Sequence, residues 1–357
     1  MTRSQHYYLG ANSGKGFQSL FDRFAQPELY HDLIVLKGGP GCGKSTMMRR
    51  MGEAMEEAGL QVEFLHCSGD PDSLDGVYVP KIRSAVLDGT APHVVEPRFP
   101  AAADRYVNLG EFYDVDAAKA DRAEVMHHSG ACSAAYRAAY RALSAAAQLA
   151  DNAAQLAAEN FDESRLLRRA DGIINRELRG RGDGRADIYR FLGSVTWKGE
   201  VWRFDTVEQL CPRVYELQDT YGFAAGFLAR IHEAACSRGY GAILCPDAEN
   251  MSRLQHLLFP ELGVAFVTSR VGMRYHGESF RRIRVDALLT GDGFSAARSR
   301  LRIMEKLQRS LREEGIRSLR EAKENHDRLE AVYRPHVDFA GIDAVTNREI
   351  SRWLSWL

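Results

Sequence analysis

Cysteine is scarce in this sequence and follows no ligand pattern. Six cysteines are spread over 357 residues, and no two stand as Cys-x-x-Cys, so zinc-finger and thioredoxin-like chemistry finds no support. Cysteines this sparse point to reduced thiols in a cytoplasm. No run approaches the ~20 apolar residues that cross a bilayer. The opening MTRSQHYYLG lacks the apolar core of a signal peptide, so a soluble chain with no membrane role is expected. Neither charge sign is in excess: 47 Lys and Arg face 48 Asp and Glu, a formal net charge of −1. That balance gives no global attraction to nucleic acid or anionic lipid. The [NT]-K-x-D sequence of a GTPase base pocket does not occur.

What the sequence does contain is itself, twice. Leu9-Gly10 and Lys15-Gly16 recur as Leu192-Gly193 and Lys198-Gly199, each 183 positions on (9 to 192, 15 to 198). Leu33–Leu36 has a partner in Val214–Leu217, and RRMGEAMEEAG up to Gly59 matches ARIHEAACSRG up to Gly239. Pro80 pairs with Pro260, and the strand Ser84–Asp88 with Val264–Thr268. Ordered matches across several segments mark an internal repeat. Residues 1–183 and 184–357 are therefore two lobes of one design, joined through RGRGDG, Arg179 to Gly184.

Each half reads as strand, loop, helix, strand, loop, strand, then a long helical section. Leu33–Lys37 is a short apolar run of buried-strand type. Lys44 to Ala58 has helical spacing and stops at Gly59, while Gln61–Cys67 and Ser84–Leu87 read as further strands. The alternation predicts an α/β fold of parallel β-α-β units. From 117 to 178 an Ala-rich, charged stretch predicts a helical hairpin, and 295–333 a second long helical region before Trp353 and Trp356.

GGPGCGKST, Gly38 to Thr46, satisfies the P-loop pattern G-x-x-x-x-G-K-[ST], with an apolar strand before it and a helix after it. Gly38, Gly39, Gly41 and Gly43 allow a tight loop whose backbone N–H groups cradle phosphate oxygens, and Pro40 stiffens the approach. The helix beginning near Lys44 turns its positive dipole end to the same anion. Lys44 is expected on the β/γ-phosphates, and Ser45, followed by Thr46, on Mg²⁺. Cys42 inside the loop tolerates its geometry more readily than it serves as a redox switch.

An acid at the end of a neighbouring strand is needed for the Mg²⁺ shell. Asp88 in AVLDGT fits that role, and a turn-forming Asp is the alternative. HCSGDPDSLDG places Asp70, Asp72 and Asp75 in a loop on the same sheet edge, where Asp70 would orient or deprotonate an attacking group. Capping of a short helix by Asp72 and Ser73 is equally open. His93, and less so His66, could contact substrate, although strand-end histidines more often hold structure. Opposite the loop, the second half reads DTYGFAAGF, with Ala225 for Lys44, Gly226 for Ser45 and Thr268 for Asp88. Asn250 and Ser252 face Asp70 and Asp72. Their joint loss predicts one working site and a degenerate second lobe, which could lend Arg230, Arg253 or Arg270 as an arginine finger.

KGGPGCGKST, HCSGDPDSLDGV, VLDGTAPHVVEP and VNLGEF together resemble a bacterial family of duplicated P-loop proteins, usually labelled ATPases or nucleotide kinases. The resemblance covers nearly the whole chain, including LGSVTWKG in the second half. Members often keep a GKST-type loop in both halves, and GFAAGF departs from that. The resemblance implies tandem P-loop NTPase-like lobes that bind ATP. Three activities follow as expectations: Mg²⁺-dependent ATP hydrolysis, phosphoryl transfer to a small molecule or nucleotide, or ATP sensing with negligible turnover. The phosphoryl acceptor or protein partner stays open. Nucleic acid is not expected, because Glu residues interrupt the Arg-rich RSRLRIMEKLQRSLREEGIRSLR as on solvated, salt-bridged helix faces.

Overall fold

The computed structural model describes residues 4–357, the Asp292 side chain aside; the leader expectation falls partly on Met1–Arg3, outside this range. The first half contains β1 (Gln5–Tyr8), β2 (Gly10–Ser13), β3 (Gly16–Ser19), α1 (Phe21–Phe24), β4 (Asp32–Lys37) and α2 (Lys44–Glu57). It continues with β5 (Glu63–His66), β6 (Leu74–Val79), β7 (Ser84–Asp88), β8 (Asp104–Asn108), α3 (Val115–Ala120), α4 (Arg122–Ala158) and α5 (Glu163–Glu177). The second half repeats the series as β9 (Ile188–Tyr189), β10 (Gly193–Thr196), β11 (Gly199–Trp202), α6 (Phe204–Leu210), β12 (Arg213–Gln218) and α7 (Ala224–Cys236). It ends with β13 (Ile243–Asp247), β14 (Asn250–Phe259), β15 (Val264–Ser269), β16 (Arg281–Arg284), α8 (Asp292–Tyr333) and α9 (Phe339–Leu354).

The two main sheets have the orders β1-β5-β6-β7-β4-β8 and β9-β13-β14-β15-β12-β16, the same order strand for strand. They are mixed, which corrects the expectation of parallel sheets: β6 and β14 run antiparallel to both neighbours. Connection length explains it. Only residues 67–73 and 80–83 flank β6, and a parallel crossover needs about a dozen residues or more. β4 is an inner strand of the first sheet, between β7 and the edge strand β8, with Leu33–Leu36 fully buried. Met47, Met48, Met51 and Met55 of α2 cover Ile34, Leu36 and Val86. Gly52 lets α2 approach closely, since a Cβ there would lie 2.5 Å from the Phe64 ring.

The halves are related by a local two-fold. Tyr8 and Phe191, 183 positions apart, exchange two backbone hydrogen bonds of 2.9 Å, as a residue and its mate do across an isologous contact. The bridges Tyr113–Val337 and Leu289–Phe161 are mates of each other at a displacement of 176.

The helices cross between the lobes. α4 and α8 run antiparallel for 37 and 42 residues, on the order of 55 and 63 Å. His128 lies beside Asn325, Leu143 against Gly315, and the Asn160 carbonyl accepts from Thr290 N–H. The expected hairpin within 117–178 is thus replaced by pairing of α4 with the other half's helix. α5 packs on α7 of the second sheet, and α9 on α2 of the first. α9 is anchored by fully buried Trp353, whose indole donates to Asp32 at 3.3 Å. Arg105 links Asp32 and Glu349 at 2.8 and 2.6 Å. A division at residue 183 therefore separates the sheets but not the helices that cover them. Among the described residues no helix is long and apolar enough to cross a membrane.

Candidate functional site

The glycine-rich sequence forms the turn between the buried end of β4 and the first residue of α2, Lys44. Gly41 and Gly43 have φ of +75° and +82°, a region that L side chains enter at a cost. Lys44 Nζ folds back over the turn, donating to the carbonyls of Gly38 and Gly39 at 2.8 and 2.9 Å. Asp88, ending β7 beside β4, stands 3.7 Å from Lys44 Nζ, and both side chains are 13% exposed. Its other oxygen accepts from the Thr90 N–H and hydroxyl at 2.9 and 2.6 Å, so the turn-forming Asp and the acid beside Lys44 are the same residue. Ser45 Oγ accepts from Leu74 N–H at 2.9 Å, tying the start of α2 to β6. Pro40 contributes its carbonyl to the Tyr113 hydroxyl at 2.7 Å, and Thr46 is exposed. Cys42 is 1% exposed, and burial pushes its thiol up, the reverse of what a reactive thiolate needs.

The acids separate into two environments. Asp70 accepts from Ser73 Oγ at 2.8 Å and Trp197 Nε1 at 3.2 Å, and lies 3.6 Å from Lys323 Nζ. Burial opposes its charge, but these donors hold its pKa below the usual carboxylate range. Such a group is a weak proton acceptor at neutral pH. Asp75 does not lie in the loop as expected: it is on β6, 4% exposed, and its Oδ2 makes no hydrogen bond. Burial, with Asp88 adding to it, pushes Asp75 up to about 6. His93 Nε2 is 3.7 Å from Asp75, its Nδ1 is 3.0 Å from the Asp88 carbonyl, and its ring stacks on Phe21 at 4.2 Å. Asp75, Asp88 and His93 thus form one buried polar group behind Lys44. His66 is elsewhere: between His6 Nδ1 and the Pro71 carbonyl, each at 2.9 Å, it holds structure, and burial lowers its pKa to about 3.

The second half closes the site. Trp197 and Lys198, at the β10–β11 turn, meet Asp70 and Asp72. Lys323 and Glu330 reach down from α8. Glu330 Oε1 accepts from Gly41 N–H at 3.3 Å, and a Cβ on Gly41 would sit 3.0 Å from the Glu330 carbonyl oxygen. Lys198 was visible in sequence as the mate of Lys15; Lys323 and Glu330 carried no comparable signal. The three arginines considered as fingers do not come here. Arg230 pairs with Asp171 on the α5–α7 surface, while Arg253 and Arg270 line a cavity of about 690 Å³ in the second lobe.

That lobe shows what the turn does without its lysine. Five residues, 219–223, separate β12 from α7, against six, 38–43, between β4 and α2. The deletion puts Ala224 at the first helical position, so Ala224, not the expected Ala225, stands opposite Lys44. Thr268 pairs with Leu217 as Asp88 pairs with Leu36, which places Thr268 in the register of Asp88. Asp219, 3% exposed, fills the turn: its carboxylate accepts from the N–H groups of Gly222, Phe223 and Ala224 at 2.9, 3.0 and 2.7 Å. The chain matches no protein-family model, no curated protein and no solved structure.

Proposed function

We propose that Gly38–Thr46 binds the phosphates of ATP with Mg²⁺ and that the protein hydrolyses ATP at this one site. The observation that carries the reading is Asp219. A turn in the same place of the same repeat holds an anion on three backbone N–H groups, which is the chemistry a phosphate oxygen requires. In the first lobe this place lacks an Asp, and Lys44 is added. A single 3.3 Å contact to Glu330 is the carboxylate interaction there, and a nucleotide phosphate would displace it.

The residues present suit the ligand. Lys44 would leave the Gly38 and Gly39 carbonyls for the β/γ-phosphates, while Ser45 and Asp88 would hold Mg²⁺, which neutralises charge building on the leaving phosphate. The Asp75 carboxyl, held near neutrality and backed by His93, suits acceptance of a proton from water better than Asp70 does. Asp70, fixed by Ser73, Trp197 and Lys323, would position the roof of the site. The family resemblance supports tandem P-loop NTPase-like lobes, and the degenerate second turn, where this chain departs from the family, supports a single site; the protein would work in the cytoplasm with a small-molecule or protein partner.

Steady-state consumption of MgATP tests this. A slow rate that falls on the order of 100-fold in Lys44→Ala and is indifferent to pooled metabolites is expected. Equal rates in both proteins would contradict hydrolysis at this site, and strong stimulation by a nucleoside pool would replace hydrolysis with phosphoryl transfer.

A further inference from the structure

A second cluster of ligating groups lies far from the glycine-rich turn, on the outer edge of the second lobe. His232 and Cys236 are four residues apart on α7 and share one helix face. Asp187, just before β9, reaches the same point. Asp187 Oδ2 is 2.8 Å from His232 Nε2, Cys236 Sγ is 3.1 Å from that nitrogen, and sulfur and oxygen are 3.8 Å apart. All three side chains are partly open to solvent, and Cys236 is the exposed cysteine of the chain.

The arrangement exceeds what a tether between strand and helix needs. In the first lobe the corresponding positions are Ser4, Gly52 and Glu56, and the Ser4 hydroxyl simply donates to Glu56. In the second lobe a thiol, an imidazole and a carboxylate converge instead, with both neighbours facing the same ring nitrogen. The imidazole and the thiol can both donate to Asp187 Oδ2, at 2.8 and 3.8 Å, so one carboxylate oxygen is the common acceptor. A cation at that point would take one lone pair from each of the three. Asp187 is already oriented, because its other oxygen accepts from Ala242 N–H at 2.9 Å, the outer-shell support that metal ligands use.

We propose that Asp187, His232 and Cys236 bind one thiophilic divalent cation of the Zn²⁺ class, with water in the remaining position. Ligand–metal distances of about 2.0–2.3 Å give donor separations of roughly 3.3–3.7 Å, so the oxygen–nitrogen pair at 2.8 Å would open by about half an ångström and the two sulfur spacings would shift by less. Thiolate and imidazole select against Mg²⁺ and Ca²⁺, which take oxygen ligands. Binding replaces the S–H bond by an S–metal bond and releases the proton to solvent. Because that proton must leave before the sulfur can ligate, affinity rises with pH. The bound ion would clamp β9, which follows the inter-lobe linker, onto α7.

Cobalt(II) titration of chelator-treated protein tests the site by absorption. One equivalent should bind, with a thiolate-to-cobalt charge-transfer band, and Zn²⁺ should displace it. Cys236→Ser should lose that band, and His232→Ala should weaken binding more than 10-fold. Circular dichroism confirms that the variants are folded. Glu330→Gln, which alters the other ligating group on α8 (His326, Asp327, Glu330), should leave the signal intact. Absence of the band in the parent protein, or its persistence in Cys236→Ser, would overturn the proposal.

Discussion

Two buried aspartates show how position decides what a carboxylate does. Asp219 is an internal counter-anion: its removal in Asp219→Ala leaves the buried Ala224 N–H, and the more open N–H groups of Gly222 and Phe223, without their acceptor. An unsatisfied buried donor costs about 1–3 kcal/mol, and compensation by water at the rim brings the expected loss to about 2 kcal/mol by chemical denaturation. A change below experimental error would mean that the turn is not held by that carboxylate. Asp75 is the opposite case. Its folded pKa of about 6 exceeds the unfolded value of 3.8, so the native state holds the proton longer. Its contribution to stability is intact below pH 4, falls as pH rises through 4–6, and is flat above; the total is about 3 kcal/mol. Asp75→Asn should abolish that fall. A parent protein and variant with parallel stability–pH curves would contradict the assignment. Asp75 was misplaced from sequence because LDGVYV interrupts its apolar run with Asp75 and Gly76. Lys44 and Asp88 were legible because a turn and an adjacent strand end are local features.

At the scale of elements, the long helices decide access to the turn. Glu330, near the end of α8, meets Gly41 from 289 residues away in sequence. No periodicity in either segment predicts that meeting, since it follows from α8 crossing to the other lobe. Both long helices were legible from composition, and their partners were not: pairing α4 with α8 leaves the same apolar positions buried as a local hairpin would. Glu330 also carries negative charge to where phosphate is proposed to sit. Glu330→Gln keeps the side-chain shape and removes that charge, so ATP should bind about five-fold more tightly, a difference of about 1 kcal/mol for a partly exposed charge. The gain should shrink as salt is raised. Unchanged or weaker affinity in the variant, measured by titration, would show that α8 does not oppose the nucleotide.

The whole molecule is a two-fold repeat whose two sites have diverged. The sheets, their strand order and the Tyr8–Phe191 contact preserve the symmetry, and the sequence offsets of 183 and 180 already announced it. The turns break the symmetry: one keeps Gly43-Lys44-Ser45, while the other has lost a residue and taken in Asp219. Because each lobe is roofed by the other half's helices, a change at the first turn is placed to reach the second lobe through α8 and α4. The cavity of about 690 Å³ beside the second turn is lined by α4 and α8 residues, among them Ala150 and Arg312, and so lies on that route. The central claim is one nucleotide per chain at Gly38–Thr46. Isothermal calorimetry with Mg²⁺ and a non-hydrolysable ATP analogue measures it directly. One equivalent bound, and none in Lys44→Ala, is the predicted result; two equivalents, or undiminished binding in Lys44→Ala, would contradict it.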